Sequence, residues 1–236
     1  MPYRKPYRKK PRRKRRTRRM RRSKPIVLSG FPRSQLVKMR YVDQIDIGAS
    51  ILGSIQNYSM RANSIFDPDF SGIGHQPMAH DQWQQVYDNY IVIGSKITVS
   101  QLTPPPGSEY YYGVFLGADA ASINQYAPAD LTGLLESKLT GSNYLIGGGL
   151  ASPNYTTGKP GLKAMTKNFS CKKFFGVRSV RDNDDLSARF GSNPTRQAFF
   201  TIWGAGVRNQ STDVLIFRVI IDYICLLREP IPLPSS

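Results

Sequence analysis

The residue types that most often carry out chemistry are concentrated in one short segment of this sequence. Residues 66–81 contain three carboxylates and both histidines of the chain: Asp67, Asp69, His75, His80 and Asp81. Such side chains could hold a metal ion or act as an acid–base pair, but either use requires them to converge with defined geometry. Because one segment carries all five between prolines and glycines, we favour a structured loop with an Asx-type turn at Asp67-Pro68-Asp69.

Three other motifs resemble binding or catalytic patterns less closely. The acidic run at 182–185 lacks the glycine and the distal glutamate of a calcium-binding loop, so we favour an ion pair with an arginine of a neighbouring subunit. The glycine run at 147–149 is not followed by the Lys and Ser/Thr of a phosphate-binding loop. The two cysteines, Cys171 and Cys225, fit inert packing positions. We therefore predict no enzymatic activity, no metal ion and no cofactor.

Charge is the strongest indication of function. The 236-residue chain has a formal net charge of +17, and residues 1–24 hold 15 Lys and Arg with no acidic residue. The remaining 18 basic and 16 acidic side chains give the rest of the chain a net charge of only +2. Prolines and dense like charge oppose regular structure, so we predict that residues 1–30, called the arm below, are disordered until they bind a polyanion.

A nucleic acid is the partner that the arm fits best, because phosphates remove the self-repulsion of its cations while releasing their own counterions. A solvated tail is the alternative without a partner; a membrane-surface segment or a mitochondrial targeting peptide would need an apolar face. The run from Arg12 to Arg16 is compatible with a nuclear-import signal. The predicted nucleic-acid-binding residues of the arm are Arg4, Lys5, Arg8, Lys9, Lys10, Arg12, Arg13, Lys14, Arg15, Arg16, Arg18, Arg19, Arg21, Arg22 and Lys24.

The elements that follow the arm are predominantly strands. Alternation of apolar and polar residues predicts strands at 35–47 and 213–228, and β-branched and aromatic residues predict two more at 90–102 and 196–205. Weaker candidates complete a count of eight, at 54–62, 109–118, 142–146 and 162–170. Long loops and the absence of strand–helix alternation favour an all-β fold for residues 31–236, an eight-stranded antiparallel jelly roll of two packed sheets.

Two short helices are expected in the loops. Apolar side chains recur at helical spacing across 80–89, and a second helix is predicted to follow Asp130 as its N-cap, with Leu131, Leu134, Leu135 and Leu139 on one face. The most apolar stretch, 213–227, is 15 residues long and contains Arg218 and Asp222. It is too short and too charged to cross a bilayer, so no membrane insertion is predicted.

Several phrases of the sequence resemble the capsid proteins of circovirus-like viruses, which have circular single-stranded DNA genomes. The resemblance is carried by the Arg-rich start and by Arg61-Ala62-Asn63-Ser64, Asp67-Pro68-Asp69 and Gly74-His75-Gln76-Pro77. It implies a jelly roll of which about 60 copies close an icosahedral, T=1 shell. It also implies a single-stranded DNA genome as cargo, contact with host nuclear import machinery, an unidentified host receptor, and localisation in the virion and, during assembly, the host nucleus.

The resemblance also suggests which face of the jelly roll meets the genome. In such capsids the sheet formed by the first, last, third and sixth strands faces the interior. Strand alternation places several cations on the side of this sheet away from the core, so we predict a basic patch, offset by Asp46 and Asp222. Its residues are Lys38, Arg40, Lys96, Lys163, Lys167 and Arg218. Scattered surface charge is the alternative.

Two other functions fit the same features. A cellular nucleic-acid-binding protein with a basic tail, such as a ribosomal or chromatin factor, would usually keep basic residues across its folded domain. A jelly-roll capsid that packages RNA is equally compatible with the arm, because only contacts with the 2′-hydroxyl distinguish ribose from deoxyribose.

Overall fold

The computed structural model describes residues 30–48, 55–103, 109–126, 130–146, 164–206 and 214–232. Within these ranges the chain forms nine strands, which include all eight that the sequence predicts and one short additional strand. They are β1 (Ser34–Gly48), β2 (Gln56–Arg61), β3 (Tyr87–Thr103), β4 (Glu109–Gly117), β5 (Thr140–Ile146), β6 (Met165–Ser170), β7 (Ser187–Arg189), β8 (Phe199–Gly206) and β9 (Val214–Pro230).

The strands form two antiparallel sheets. Sheet A has the order β1-β9-β3-β6, with β7 also paired to β3, and sheet B has the order β2-β8-β4-β5. Most successive strands along the chain therefore lie in different sheets, the exceptions being β4–β5 and β6–β7, and the first and last strands are neighbours. This is the strand order of a jelly roll, which confirms the predicted fold class.

The core lies between the two sheets and follows from strand alternation. In β1, Met39, Tyr41, Ile45 and Ile47 are buried, whereas the residues between them face solvent or are half-buried. In β9 the residues from Leu215 to Cys225 alternate in the same way. A second apolar cluster lies around Trp203 and Phe115 of sheet B, where Ile123 and Leu134 pack against them. Burying each such side chain contributes about 1.5–3 kcal/mol, so the core can hold both sheets together.

The helices are short: α1 (His80–Gln84), α2 (Leu131–Glu136) and α3 (Cys171–Phe174). The helix predicted over 80–89 ends early because Tyr87 begins β3 and pairs with Pro230. The predicted N-cap is confirmed, since the Asp130 carboxylate accepts a hydrogen bond from the Gly133 amide at 2.8 Å. The placement of Leu139 on this helix was wrong, because α2 ends before it and the side chain is exposed.

An irregularity in β3 changes which of its residues face the core. The pairing with β9 shifts register between Val92 and Gly94, so Ile93 is the extra residue of a β-bulge. The alternation therefore places Ile97 and Val99 on the core side as expected, but Ile91 pairs with Leu226 on the opposite side. Uninterrupted alternation over 90–102 would place Ile91 and Ile93 on the core side together with Ile97 and Val99.

The described helices do not include one that is long and apolar enough to cross a membrane.

Candidate nucleic-acid interface

The face of sheet A that is turned away from sheet B, called the outer face below, carries a group of charged residues. Lys38 and Arg40 point there because Met39 and Tyr41 between them enter the core. The strand register then places Arg40 opposite Asp222 of β9, and Asp222 opposite Lys96 of β3. Three neighbouring strands therefore contribute one row of alternating charge.

Arg40 and Asp222 form a two-point ion pair. The Arg40 Nε donates to one carboxylate oxygen at 2.6 Å and Nη2 donates to the other at 3.2 Å. The hydrogen bond to Asp222, followed by its charge, raises the pKa of Arg40 above its usual value. The side chains remain 64% and 39% exposed, so dissolved salt screens the attraction and another anion can reach the guanidinium.

A groove of about 420 Å³ runs across this row, called the sheet A groove below. Cations, a carboxylate and an amide line it together with apolar atoms from β3, β6 and β9. Its lining residues are Lys38, Arg40, Gly94, Ser95, Lys96, Asn168, Phe169, Asp222, Tyr223 and Ile224. The volume lies in the range of small-ligand sites, and the positive side chains are suited to a phosphate.

Four of the six predicted patch residues share the outer face, and one does not. Lys38, Arg40 and Lys96 line the groove, while Arg218 pairs with Gln44 and Ser100 on the same face. Arg218 lies four residues from Asp222 along β9, or roughly 13 Å away at the usual strand rise. Lys163 lies outside the described residues. The predicted acidic residues Asp46 and Asp222 are on this face as well.

The assignment of Lys167 to the patch was wrong. It pairs with Ile97, which places it on the core side of β6 beside Met165 and Phe169. Its ammonium group donates to the Lys138 carbonyl at 3.4 Å, and partial burial lowers the pKa of Lys167. The two apolar neighbours share its face because alternate residues of a strand point to the same side.

The arm itself, up to residue 29, lies outside the described residues, but its covalent attachment is defined. The chain continues from Gly30 into β1, which is the edge strand of sheet A. The hydroxyl of Tyr87 donates to the carbonyl of Pro32 at 2.9 Å and holds the chain next to β3 and β9. The arm is therefore tethered to the sheet that carries the basic outer face.

Several features of this face were not predicted from the sequence. Apolar side chains are interleaved with the cations, including Leu36, Val42 and Ile224, which are 56%, 42% and 37% exposed. Asn168 enters the groove from β6 through its pairing with Lys96. Alternation along single strands could identify the outward residues, but only the register between strands shows which of them meet.

The loop that gathers Asp67, Asp69 and the histidines is a structural unit. Arg61 is buried, and its guanidinium donates to the Asp67 carboxylate at 2.8 Å and to the carbonyls of Asp67 and Asp69. The Asp69 carboxylate accepts a hydrogen bond from the Ser71 amide at 2.9 Å, which forms an Asx turn. The expected turn therefore exists but begins at Asp69, while Asp67 neutralises a buried arginine.

The two histidines lie in different surroundings. His75 is exposed, and its Nε2 and Nδ1 lie 2.9 Å and 2.8 Å from the carbonyl oxygens of Val42 and Gln76. His80 is buried against the rings of Phe66 and Phe190. The described residues contain no group of three or more His, Cys, Asp or Glu side chains placed to hold a metal ion.

The cysteines are both buried and free. Burial raises the pKa of the Cys171 thiol to about 11 and that of Cys225 further above its usual value. A thiol with a raised pKa is a poor nucleophile at neutral pH, which fits the predicted packing role.

Solved structures to which this chain is similar at low sequence identity include viruses and a viral capsid protein. The decameric BFDV capsid protein is 10% identical over 83% of this chain and all of its own, with a TM-score of 0.46. Desmodium yellow mottle tymovirus is 12% identical over 86% of this chain and 92% of its own, with a TM-score of 0.42. Cocksfoot mottle virus is 13% identical over 83% and 94%, with a TM-score of 0.46.

No protein-family model matches the chain, and no curated protein matches it. Likenesses with identities and TM-scores this low carry no argument about this chain. On its strand order the chain is a jelly-roll protein, a fold that viral capsid proteins share with lectins and cupins.

Proposed function

We propose that this chain is a viral capsid subunit that assembles into an icosahedral shell and packages a single-stranded DNA genome through its arm. The observation that carries the proposal is the separation of charge along the chain. Fifteen cations precede residue 25, and the remainder of the chain has a net charge of +2. A near-neutral body can pack against copies of itself, while a cationic arm binds a polyanion without interfering with that packing.

The combined charge of the arms could neutralise a large share of a small single-stranded genome. If about 60 copies form the shell, their arms bring on the order of 900 positive charges, against one negative charge per nucleotide. Each phosphate neutralised by Lys or Arg releases counterions, so binding is strong at low salt and independent of sequence. The basic outer face of sheet A lies on the sheet to which the arm is attached, so both would meet the same strand.

Self-assembly requires an apolar contact surface, and the loop between β2 and β3 offers one. Ile73 and Met78 are 87% and 85% exposed, and Phe70 is 47% exposed. The loop that carries them is held by Arg61 and by His75, so little conformational entropy is lost when it is covered. We assign this loop to contact with a second copy of the chain, as interface cores are enriched in aromatic residues and methionine.

The finer points of the proposal rest on the sequence resemblance. They are circovirus-like ancestry, a T=1 shell, a DNA cargo, nuclear import through residues such as Arg12 to Arg16, an unidentified host receptor, and residence in the virion and the host nucleus. An RNA cargo fits the arm equally well. Digestion of copurified nucleic acid with DNase and RNase separates the two cargoes, since only one enzyme would shorten it.

The rival function is that of a cellular nucleic-acid-binding protein. Size-exclusion chromatography and electron microscopy of the expressed full chain distinguish the two. A closed particle of megadalton mass supports the capsid proposal. A stable monomer at physiological salt, with or without added nucleic acid, contradicts it and supports the cellular alternative.

A further inference from the structure

The sheet A groove contains an anion of its own, placed where a phosphate would otherwise bind. Lys38 and Lys96 form no ion pair with any described residue, while Arg40 is held at two points by Asp222. A carboxylate that accepts two parallel N–H bonds from arginine offers the geometry that a phosphate also offers. The third cation of the groove is therefore already occupied.

We propose that Asp222 is a competitor for phosphate that limits how tightly the groove holds a single nucleic-acid strand. The inference rests on the proposed function, because it takes the packaged strand as the ligand. In the resting groove the strand meets Lys38 and Lys96 only. Arg40 becomes a third phosphate ligand only when a phosphate displaces the Asp222 carboxylate from its guanidinium.

The surroundings of the pair allow this exchange. Arg40 is 64% exposed, so a phosphate can approach the guanidinium from solvent without rearrangement of the sheet. Asp222 lies opposite both Arg40 and Lys96 in the register of its two neighbouring strands, so a displaced carboxylate still has a cation next to it. The exchange therefore replaces one ion pair by another and leaves no buried charge unpaired.

The rest of the groove fits a nucleotide better than a free anion. The Asn168 amide offers both donors and an acceptor, as base edges require. Ile224 supplies apolar surface beside the cations. A competing carboxylate at this position favours reversible binding. Reversible binding is required because the strand has to be packaged and later released. The arm, with its charge of +15, keeps the strand bound while successive phosphates of that strand exchange in the sheet A groove.

The salt dependence of binding tests the role of Asp222. Binding of a fluorescent oligo-dT to the full chain is measured across a series of salt concentrations, for the wild type, Asp222→Asn and Asp46→Asn. Asp46 is the matched control, because it is exposed on the same outer face but does not line the groove. Asp222→Asn is expected to steepen the slope of log K against log salt by about 0.7, the value of one additional phosphate contact.

A double-mutant cycle identifies the partner through which Asp222 acts. In an Arg40→Gln background, Asp222→Asn is expected to lose most of its effect on the slope, because no guanidinium remains to be released. Equal effects of Asp222→Asn and Asp46→Asn, or an undiminished effect without Arg40, would overturn the inference in favour of net charge alone.

Lysine footprinting separates this inference from the proposed function. The full chain is acetylated with and without bound oligo-dT, and each lysine is quantified by mass spectrometry, with the exposed Lys172 and Lys173 as controls. Protection of Lys38, Lys96 and the arm lysines supports both proposals. Protection of the arm lysines alone overturns the role of the groove and leaves the proposed function intact, whereas absence of protection in the arm contradicts the proposed function itself.

Discussion

At the scale of single residues, the most consequential side chain is one that does no chemistry. Arg61 is only 8% exposed, and it binds one carboxylate, two carbonyl oxygens and the Gln197 amide oxygen. It also lies over the ring of Phe70, with its Cζ 5.1 Å from the ring centroid. Together with His75, this guanidinium therefore fixes the shape of the loop between β2 and β3 that carries Ile73.

Replacing Arg61 is therefore expected to destabilise the protein strongly. Arg61→Met removes the charge and leaves Asp67 and two carbonyls without their donor, so we expect a loss of about 3 kcal/mol in the free energy of unfolding. Urea unfolding followed by tryptophan fluorescence measures the loss. The exposed Arg178→Met is the control and is expected to change stability by less than about 0.5 kcal/mol. Equal effects would show that the network around Arg61 is unimportant.

His75 is expected to make the stability of this loop depend on pH. Both ring nitrogens face carbonyl oxygens, and only the imidazolium can donate to both. The bond to the Gln76 carbonyl raises the pKa of His75, as do the Val42 carbonyl and the charge of Asp43, against an opposing effect of burial. Because the folded pKa is raised, the stabilisation is complete below the unfolded value of about 6.5 and is lost as pH rises through the folded value.

An NMR titration of the imidazole carbon–proton signals checks this directly. The His75 midpoint is expected above about 6.5. The protein should also be slightly more stable at pH 6 than at pH 8, and His75→Gln should remove that difference. A His75 midpoint below the usual value would contradict the two hydrogen bonds from the imidazolium to the Val42 and Gln76 carbonyls.

At the scale of elements, the bulge in β3 sets the geometry of the groove. It returns Lys96 to the outer face and places Gly94 against β6, where an added Cβ would lie 2.9 Å from the Phe169 carbonyl oxygen. That oxygen belongs to the backbone and cannot move without shifting β6. Gly94 is therefore required by close approach of two strands rather than by its φ angle.

Gly94→Ala is accordingly expected to destabilise the protein by about 1–3 kcal/mol through overpacking. Gly48→Ala is the matched control, because Gly48 also lies in a strand and an added Cβ would meet no atom within 4 Å. Thermal unfolding midpoints compare the two variants. A midpoint of Gly94→Ala equal to that of Gly48→Ala would show that β6 can move aside freely.

The same elements show how far the sequence could predict the structure. Long alternating strands such as β1 and β9 were predicted within a few residues, because one face is buried along the whole length. The sequence did not predict the bulge at Ile93 or the position of Lys167 on the core side of β6. Both depend on pairing between strands that are distant in sequence, and alternation along a single strand carries no information about its partner.

The candidate site was predictable to the same extent. The outward orientation of cations on β1, β3 and β9 follows from burial of the residues next to them. The sequence therefore identified Lys38, Arg40, Lys96 and Arg218. The ion pair of Arg40 with Asp222 was not, because it depends on the register between β1 and β9. The nucleic-acid-binding role of all these residues stays a prediction.

At the scale of the whole molecule, assembly should depend on the exposed apolar loop. A double substitution, Ile73→Asp and Met78→Asp, is expected to abolish particle formation and leave a folded, low-order species, since both side chains are already in solvent in the isolated subunit. Analytical ultracentrifugation measures the particle fraction, and circular dichroism verifies the fold. Leu102→Asp is a control at another exposed apolar side chain, 43% exposed. Normal particles from the double variant would place the subunit contacts elsewhere.

If the arm binds the nucleic acid and the near-neutral body does not, the nucleic-acid content of the purified protein depends on the charge of the arm. The ten arginines of residues 1–24 are changed to glutamine in the full chain, which removes ten of its fifteen arm charges. The ratio of absorbance at 260 and 280 nm, measured after purification at matched salt, reports bound nucleic acid. The predicted result is a ratio close to that of pure protein. A variant that retains as much nucleic acid as the wild type would contradict the proposed role of the arm.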